Sequence, residues 1–131
     1  MKLTSKMLAS IYSMLRTLKP FSGWHLPEIS LIEFKVTNEL DAMGTYFYCD
    51  LTERHIITIS KAKNGHLSTV IRTLAHEMIH CKRWNTSKWD KHDDTFRRYA
   101  AQIANELGFE TPFYPNRVRQ SCLCGVQGIA V

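Results

Sequence analysis

The sequence lacks long apolar runs, paired cysteine motifs and repeats, and each absence excludes a class of protein. No stretch approaches the roughly 18 uninterrupted apolar residues of a membrane span. The four cysteines include only one close pair, Cys122 and Cys124, so they do not form the paired CxxC framework of a four-cysteine zinc site. No internal repeat or low-complexity segment occurs. A hydrophobic fraction of 44% in 131 residues is instead typical of one globular domain with a single core.

The pattern of a cleavable leader is also missing from the N-terminal stretch. Residues 1–19 begin with basic side chains, but serines and threonines interrupt the apolar residues. These apolar residues recur at helical spacing: Leu3, Met7, Ile11, Met14 and Leu18. We therefore expect an amphipathic helix rather than a signal peptide. Without a signal peptide the cysteines are expected to stay reduced, and we expect a cytoplasmic protein.

The most informative stretch is His76-Glu77-Met78-Ile79-His80, which reads HExxH. Residues four apart on an α-helix lie one above the other, so the two imidazoles can share a divalent metal ion. Glu77 lies one residue round from this pair, where its carboxylate is beside the metal and can take a proton from a water molecule. The stretch therefore predicts a metal centre on a helix. The plainer interpretation is a surface helix with two histidines beside a solvated glutamate.

The residues around this stretch favour a helix with one apolar side. At a turn of about 100° per residue, six apolar side chains lie within roughly 60° of one direction. They are Leu67, Val70, Ile71, Leu74, Met78 and Cys81. His76 and His80 point to nearly the opposite side, which is poor in charge. We expect the apolar side to face the core and the histidine side to line a cleft.

A catalytic zinc needs a third protein ligand and an open fourth position for water. His92 is the leading candidate, because it lies directly before Asp93 and Asp94, which can cap the start of another helix. That helix is predicted from apolar residues at intervals of three and four, and it ends at Gly108. Asp93 and Asp94 are rival ligands, since carboxylate oxygens also bind zinc.

The residues from 74 to 80, a short insert containing tryptophan, and then His92 followed by Phe96 together resemble the SprT-like family of zinc metallopeptidases, which includes the Spartan-type proteases. The likeness covers roughly residues 43 to 107. It implies a zincin-like minimal metallopeptidase in which His76, His80 and His92 bind one zinc ion per chain and Glu77 is the catalytic acid-base. Family members often carry glycine after the third histidine, where this chain has Asp93.

The rest of the chain predicts an α+β fold. Three stretches rich in β-forming residues predict strands at 28–36, 45–49 and 55–60. Short turns join them, so we expect a small three-stranded antiparallel or mixed sheet packed with an N-terminal helix, the HExxH helix and a C-terminal helix. The whole chain, 1–131, is expected to be one domain with its core at about 28–108, and 109–131 is a tail without a readable pattern.

Charge is the remaining indication of a partner. The formal net charge is +5, and basic residues surround the expected metal site. Lys82, Arg83, Lys88 and Lys91 are candidate contacts to nucleic acid, and Trp84 and Trp89 could stack on exposed bases. The DNA association of Spartan-type proteins implies the same partner by resemblance. The alternatives are an acidic protein substrate or a surface that serves only solubility.

The sequence as a whole predicts a zinc-dependent endopeptidase, with a protein or peptide as its substrate. A donor that stabilises the oxyanion is also expected, and Tyr99, Tyr114 and Arg83 are the candidates. The rival hypothesis is a non-catalytic nucleic-acid-binding or interaction module in which the metal is a structural brace. Such a closed site has four protein ligands, and His66, Asp93 or Asp94 could supply the fourth.

Overall fold

The middle strand of the sheet is the third strand in the chain. The structure, a computed structural model, describes residues 2–110. The strands are β1, Ile32–Thr37, β2, Gly44–Cys49, and β3, Arg54–Ser60, in the order β1-β3-β2. β1 lies parallel to β3, and β2 forms an antiparallel hairpin with it. The predicted three-stranded sheet is therefore confirmed, and of the two expected arrangements, antiparallel or mixed, it is the mixed one. Six of the seven residues of β3 are buried or half-buried, so burial does not alternate along this strand. The reason is that both neighbouring strands and a helix cover it.

Three α-helices accompany the sheet within residues 2–110: α1, Ser5–Arg16, α2, Leu67–Lys82, and α3, Asp94–Leu107. Thr4 caps α1 by accepting a hydrogen bond from the backbone N–H of Met7 at 3.1 Å. Gly108 ends α3 in the left-handed conformation, with φ of 76°. All three helices lie where the sequence predicts them. None of them combines the length and apolar character that a helix spanning a bilayer needs.

The first strand begins later than predicted. Ile29–Leu31 form a short 3-10 helix, in which the N–H of Leu31 donates to the carbonyl of Glu28 at 2.9 Å, and β1 starts only at Ile32. Ile29 and Leu31 are 40% and 46% exposed. Their apolar character suggested a strand, but the segment lies outside the sheet and does not share its alternation. A second 3-10 helix, Phe21–Gly23, lies in the connection before it.

Helix α2 is the element on which the rest of the fold packs. It contacts β2 and β3 on one side, α1 on another and α3 on a third. Every residue from Thr73 to Cys81 is consequently buried. The prediction that Leu67 belongs to the core is wrong: it is 49% exposed, because the first turn of α2 extends beyond the packed region. The middle of α2 has no open side, so the histidine side is buried as fully as the apolar side.

Candidate metal centre

Three imidazoles converge where α2 meets the start of α3. His76 and His80 lie one turn apart on α2, and His92 lies in the loop two residues before α3 begins. One ring nitrogen from each lies within 4.8 Å of the others, and Nε2 of His80 is 3.2 Å from Nε2 of His92. Ligands at about 2.0–2.1 Å from a tetrahedral zinc are about 3.3 Å apart. The spacing of these nitrogens therefore fits a shared metal ion.

The loop backbone fixes the orientation of His80. Its Nδ1 lies 2.6 Å from the carbonyl oxygen of Trp89. A carbonyl oxygen can only accept, so Nδ1 carries the proton and donates it. In the neutral ring, Nε2 then has the lone pair and faces His92. A ligand histidine in proteins is commonly held through its other nitrogen in this way.

His92 is held through its chain neighbours. Asp93 is the N-cap of α3 and accepts from the N–H of Phe96 at 3.0 Å. Both carboxylate oxygens of Asp93 also accept from the guanidinium of Arg83, at 2.9 Å each. This contact is the main reason that the pKa of Asp93 is lowered to about 2.

The aromatic ring of Phe96 covers the three histidines. Its centroid lies 4.9 Å from those of His76 and His80, and 4.6 Å from that of His92. Phe96 itself is fully buried. It removes water from one side of the rings, which explains why the polar side of α2 is not solvated.

Burial shifts the pKa values of all three imidazoles in the direction that metal binding requires. The pKa of His80 is lowered to about 3 and that of His92 to about 4, in both cases mainly by burial. Burial, with the charges of His80 and His92, also lowers the pKa of His76 well below its usual value. Neutral imidazoles at ordinary pH have lone pairs available for a metal ion. The electrostatics and the geometry therefore agree.

Glu77 is a buried carboxylate in a place without an obvious structural need for one. It is only 1% exposed, and its Oε1 has no hydrogen-bond partner among residues 2–110. Burial raises its pKa well above the usual value. Such a group destabilises the fold unless a ligand or substrate compensates it. An orphaned carboxylate next to His76 therefore points to chemistry at this position, and the donor set fits zinc.

The start of β2 lies directly against this carboxylate. A Cβ atom at Gly44 would lie 3.2 Å from Oε2 of Glu77, 3.1 Å from the carbonyl oxygen of Thr58 and 2.8 Å from Cγ2 of Thr73. Gly44 thus permits a close approach between the sheet and α2. Sequence reasoning missed this role, because a single glycine at a predicted strand start indicates only a turn.

The rival ligands lie away from the three nitrogens. Asp93 is engaged by Arg83, and Asp94 forms a 2.8 Å ion pair with Arg97 and is 98% exposed at its side chain. His66 is the N-cap residue of α2, ten residues before His76, or about 15 Å along the helix axis. The group of closely placed metal-ligating side chains found in the described part of the chain contains His76, His80 and His92 and no fourth member.

Of the other predicted site residues, some are buried and some are exposed. Arg83 is buried against Asp93, an arrangement that disfavours both the oxyanion role and the nucleic-acid contact expected of it. Tyr99 packs edge-on against Trp24, and Lys82 lies over its ring at 5.4 Å. Lys88 and Lys91 are exposed in the loop. Tyr114, Cys122 and Cys124 lie outside the described residues.

Two further contributors to the site were not assigned a role from sequence. The Trp89 carbonyl is a backbone group, so no pattern of residues in the sequence indicates that it binds His80. Phe96 did appear in the predicted apolar pattern of α3, and its proximity to His92 in sequence was the available signal. Its contact with all three imidazoles depends on how α3 docks on α2.

Imidazoles from α2 and from the loop before α3, converging near the buried Glu77, define a small α+β domain with an HExxH helix and a candidate metal centre. Comparison with known families assigns it more closely. The chain belongs to the SprT-like family, whose model matches residues 16–118, and this confirms the resemblance seen in the sequence. The comparisons with curated proteins and with solved structures gave no match. The matched region contains α2, α3 and all three candidate ligands.

Proposed function

We propose that this protein is a zinc-dependent endopeptidase of the SprT-like type with a zincin-like active site. The observation that carries the proposal is the buried Oε1 of Glu77, which lies without a hydrogen-bond partner in residues 2–110, on the helix turn that begins with His76, one of three convergent histidines. Membership of the SprT-like family supports the same reaction class. Residues serving only stability would not leave a buried carboxylate oxygen uncompensated.

His76, His80 and His92 would hold the zinc ion, and Trp89 and Phe96 keep their rings in place. When bound there, zinc would supply a Lewis acid that polarises the scissile carbonyl and lowers the pKa of a water molecule. Three protein ligands leave a coordination position for that water, as in catalytic zinc sites.

Glu77 acts as the general base through its carboxylate. Burial raises its pKa, which makes it a better proton acceptor than an exposed glutamate. Its Oε1 takes the proton from the attacking water, and the protonated carboxyl then returns it to the leaving amine. Glycine at position 44 leaves room for this carboxylate, because a Cβ atom there would lie only 3.2 Å from Oε2.

Metal content and hydrolysis test the proposal together. Protein purified without an affinity tag is expected to contain about one equivalent of zinc, and His76→Ala and His80→Ala are expected to lose it. Glu77→Gln should keep both the zinc and the folded state while abolishing cleavage of an unfolded protein substrate. His66→Gln is the matched control and should change neither property. Zinc below about half an equivalent, or Glu77→Gln with undiminished cleavage, would contradict the proposal.

The structural brace is the alternative, and the ligand count distinguishes it. A closed site would have four protein ligands, whereas the described residues bring together three. X-ray absorption at the zinc edge measures this count directly. Three imidazoles plus one oxygen ligand that persists in Asp93→Ala and in Asp94→Ala support the enzyme, whereas a fourth imidazole, or an oxygen ligand lost in either variant, supports the brace.

A nucleic-acid partner is a separate proposal. Lys88 and Lys91 are exposed in the loop that carries His92, so phosphates could approach that loop. The affinity for single-stranded DNA is expected to fall by orders of magnitude between about 50 and 200 mM salt, and Lys88→Ala with Lys91→Ala should reduce the salt slope by about 2. Absent binding at the lower salt, or an unchanged slope in this variant, would eliminate DNA and leave the peptidase proposal intact.

A further inference from the structure

His92 is the candidate ligand with the weakest support from secondary structure. His76 and His80 are fixed by the backbone hydrogen bonds of α2, whereas His92 lies in the loop that joins Lys82 to Asp94. The loop contains turns, with N–H bonds from Thr86 to the Arg83 carbonyl at 3.0 Å and from Lys91 to the Lys88 carbonyl at 3.1 Å. Those turns end before His92. A three-ligand site therefore needs another element to place this imidazole.

Arg83 holds the chain on both sides of His92. Its Nη1 donates to the carbonyl oxygen of Lys91 at 3.2 Å, one residue before the histidine. Its Nη1 and Nη2 donate to the two carboxylate oxygens of Asp93, one residue after it, at 2.9 Å each. A guanidinium with paired donors fixes direction as well as distance, which a lysine ammonium does not. The peptide unit of His92 is thus bracketed by one buried side chain.

The surroundings make this pair more rigid than an ordinary surface ion pair. The side chains of Arg83 and Asp93 are 9% and 30% exposed. Arg83 is the C-cap residue of α2, and Asp93 is the N-cap of α3, where it also accepts from the Phe96 N–H. The pair therefore joins the end of one ligand-bearing helix to the start of the helix that follows the third ligand.

We infer that Arg83 and Asp93 are positioning residues for the metal centre, which hold His92 in the place where it completes the three-histidine site. The inference rests on the proposed zinc function. It assigns to Arg83 a role different from those expected from the sequence, namely contact with an oxyanion or with nucleic acid. Neither side chain needs to touch the metal or the substrate for this role.

The chain offers a matched control for the effect of a broken ion pair. Asp94 and Arg97 form a pair of similar length, 2.8 Å, at the same end of α3. Their side chains are 98% and 58% exposed, and the pair does not bracket His92. Asp94→Asn thus removes a charge one residue from Asp93 without touching the bracket. Asp93→Asn keeps a good helix N-cap, because asparagine and aspartate cap equally well.

Zinc affinity, measured by competition with a chelator, is the primary measurement. Replacing groups that orient a metal ligand typically weakens binding by about 10- to 100-fold. We expect a loss of that size in Asp93→Asn and in Arg83→Lys, and a loss at least as large in His92→Ala. Asp94→Asn should bind like the unmodified protein. The double variant Arg83→Lys with Asp93→Asn should be no weaker than the more affected single variant, because both changes break one bracket.

Cobalt absorption gives a signature that lost stability alone would not produce. The cobalt-loaded Asp93→Asn protein is expected to show the spectrum of His92→Ala, and Asp94→Asn to keep that of the unmodified protein.

Unchanged zinc affinity and an unchanged spectrum in Asp93→Asn and Arg83→Lys would overturn the inference. It is also overturned if both variants fail to fold while Asp94→Asn folds, because the pair then maintains the fold as a whole. If the unmodified protein binds no metal, the proposed function fails together with the inference. If the unmodified protein binds metal and Asp93→Asn binds it equally well, only the inference is refuted.

Discussion

Gly44→Ala is the substitution whose effect follows most directly from the geometry. The new Cβ would lie 2.8 Å from Cγ2 of Thr73, 3.1 Å from the Thr58 carbonyl oxygen and 3.2 Å from Oε2 of Glu77. Gly44 has no positive φ, so alanine suits its backbone, and only space is lacking. The strand cannot withdraw without cost. The adjoining carbonyl of Met43 accepts from the Ser60 N–H at 2.9 Å and from the buried side chain of Asn64 at 3.1 Å.

The expected magnitude comes from the cost of overfilling a packed interior. Adding one methyl group to such a site destabilises a protein by about 1–3 kcal/mol. For a chain of this size, each kcal/mol lowers the melting temperature by about 4 °C, so the midpoint should fall by about 4–12 °C. Thermal unfolding followed by circular dichroism measures this shift. Gly65→Ala is the control, because a Cβ there meets nothing within 4 Å.

A second variant separates stability from catalysis. Thr73→Ser removes Cγ2 but keeps the hydroxyl that donates to Oδ1 of Asn64 at 2.7 Å. Combined with Gly44→Ala, it should recover most of the lost melting temperature, since the shortest contact is gone. Peptide hydrolysis should be lowered in Gly44→Ala and should stay low in the double variant, because the new Cβ still lies 3.2 Å from Oε2 of Glu77. A Gly44→Ala protein that melts within about 1 °C of the unmodified one would show that this interior adapts more freely than overpacking data indicate.

Three further changes have defined outcomes. Gly108→Ala should lower the free energy of unfolding in urea by about 1–2 kcal/mol, because φ is 76° at this helix end. Burial lowers the pKa of His55, so its neutral form contributes stability above an unfolded pKa of about 6.5, and this contribution declines as the pH falls below that value. His55→Gln should accordingly flatten the pH dependence of unfolding between about pH 5 and pH 7, and an unchanged slope would refute the assignment. Removing zinc with a chelator should lower stability by about 4 kcal/mol if the free metal had been 1,000 times its dissociation constant.

Local patterns in the sequence were sufficient to single out the three histidines that the structure brings together as candidate ligands. His76 and His80 are related by helical periodicity, and Asp93 after His92 announces the helix start that fixes the third ligand's place in the chain. These signals act within a few residues, so they survive without knowledge of the fold. The strands at 45–49 and 55–60 were found for the same reason, and the structure extends each by one residue at its start.

The surroundings of the ligands depended on contacts between distant segments. The periodicity of α2 identifies its apolar side except for Leu67, but it cannot reveal that α3 covers the opposite side with Phe96. The space needed at Gly44 likewise depends on how β2 packs against Thr73 and Glu77. Arg83 was a candidate oxyanion donor and nucleic-acid contact because it is one of several basic residues around the expected metal site, whereas its carboxylate partner Asp93 lies ten residues away in the sequence.

The bond from His80 to the Trp89 carbonyl has a consequence for how this site tolerates change. Every amino acid has a carbonyl oxygen, so no substitution at position 89 deletes the acceptor itself. The orientation of His80 is therefore determined by the backbone conformation of the loop and not by the chemistry of any one side chain. A substitution scan would detect the Trp89 ring through its packing against the core, which includes Tyr46 at 5.8 Å between centroids. Insertion or deletion of a residue between Arg83 and Trp89 would instead displace the oxygen, so the length of this loop is more tightly constrained than its composition.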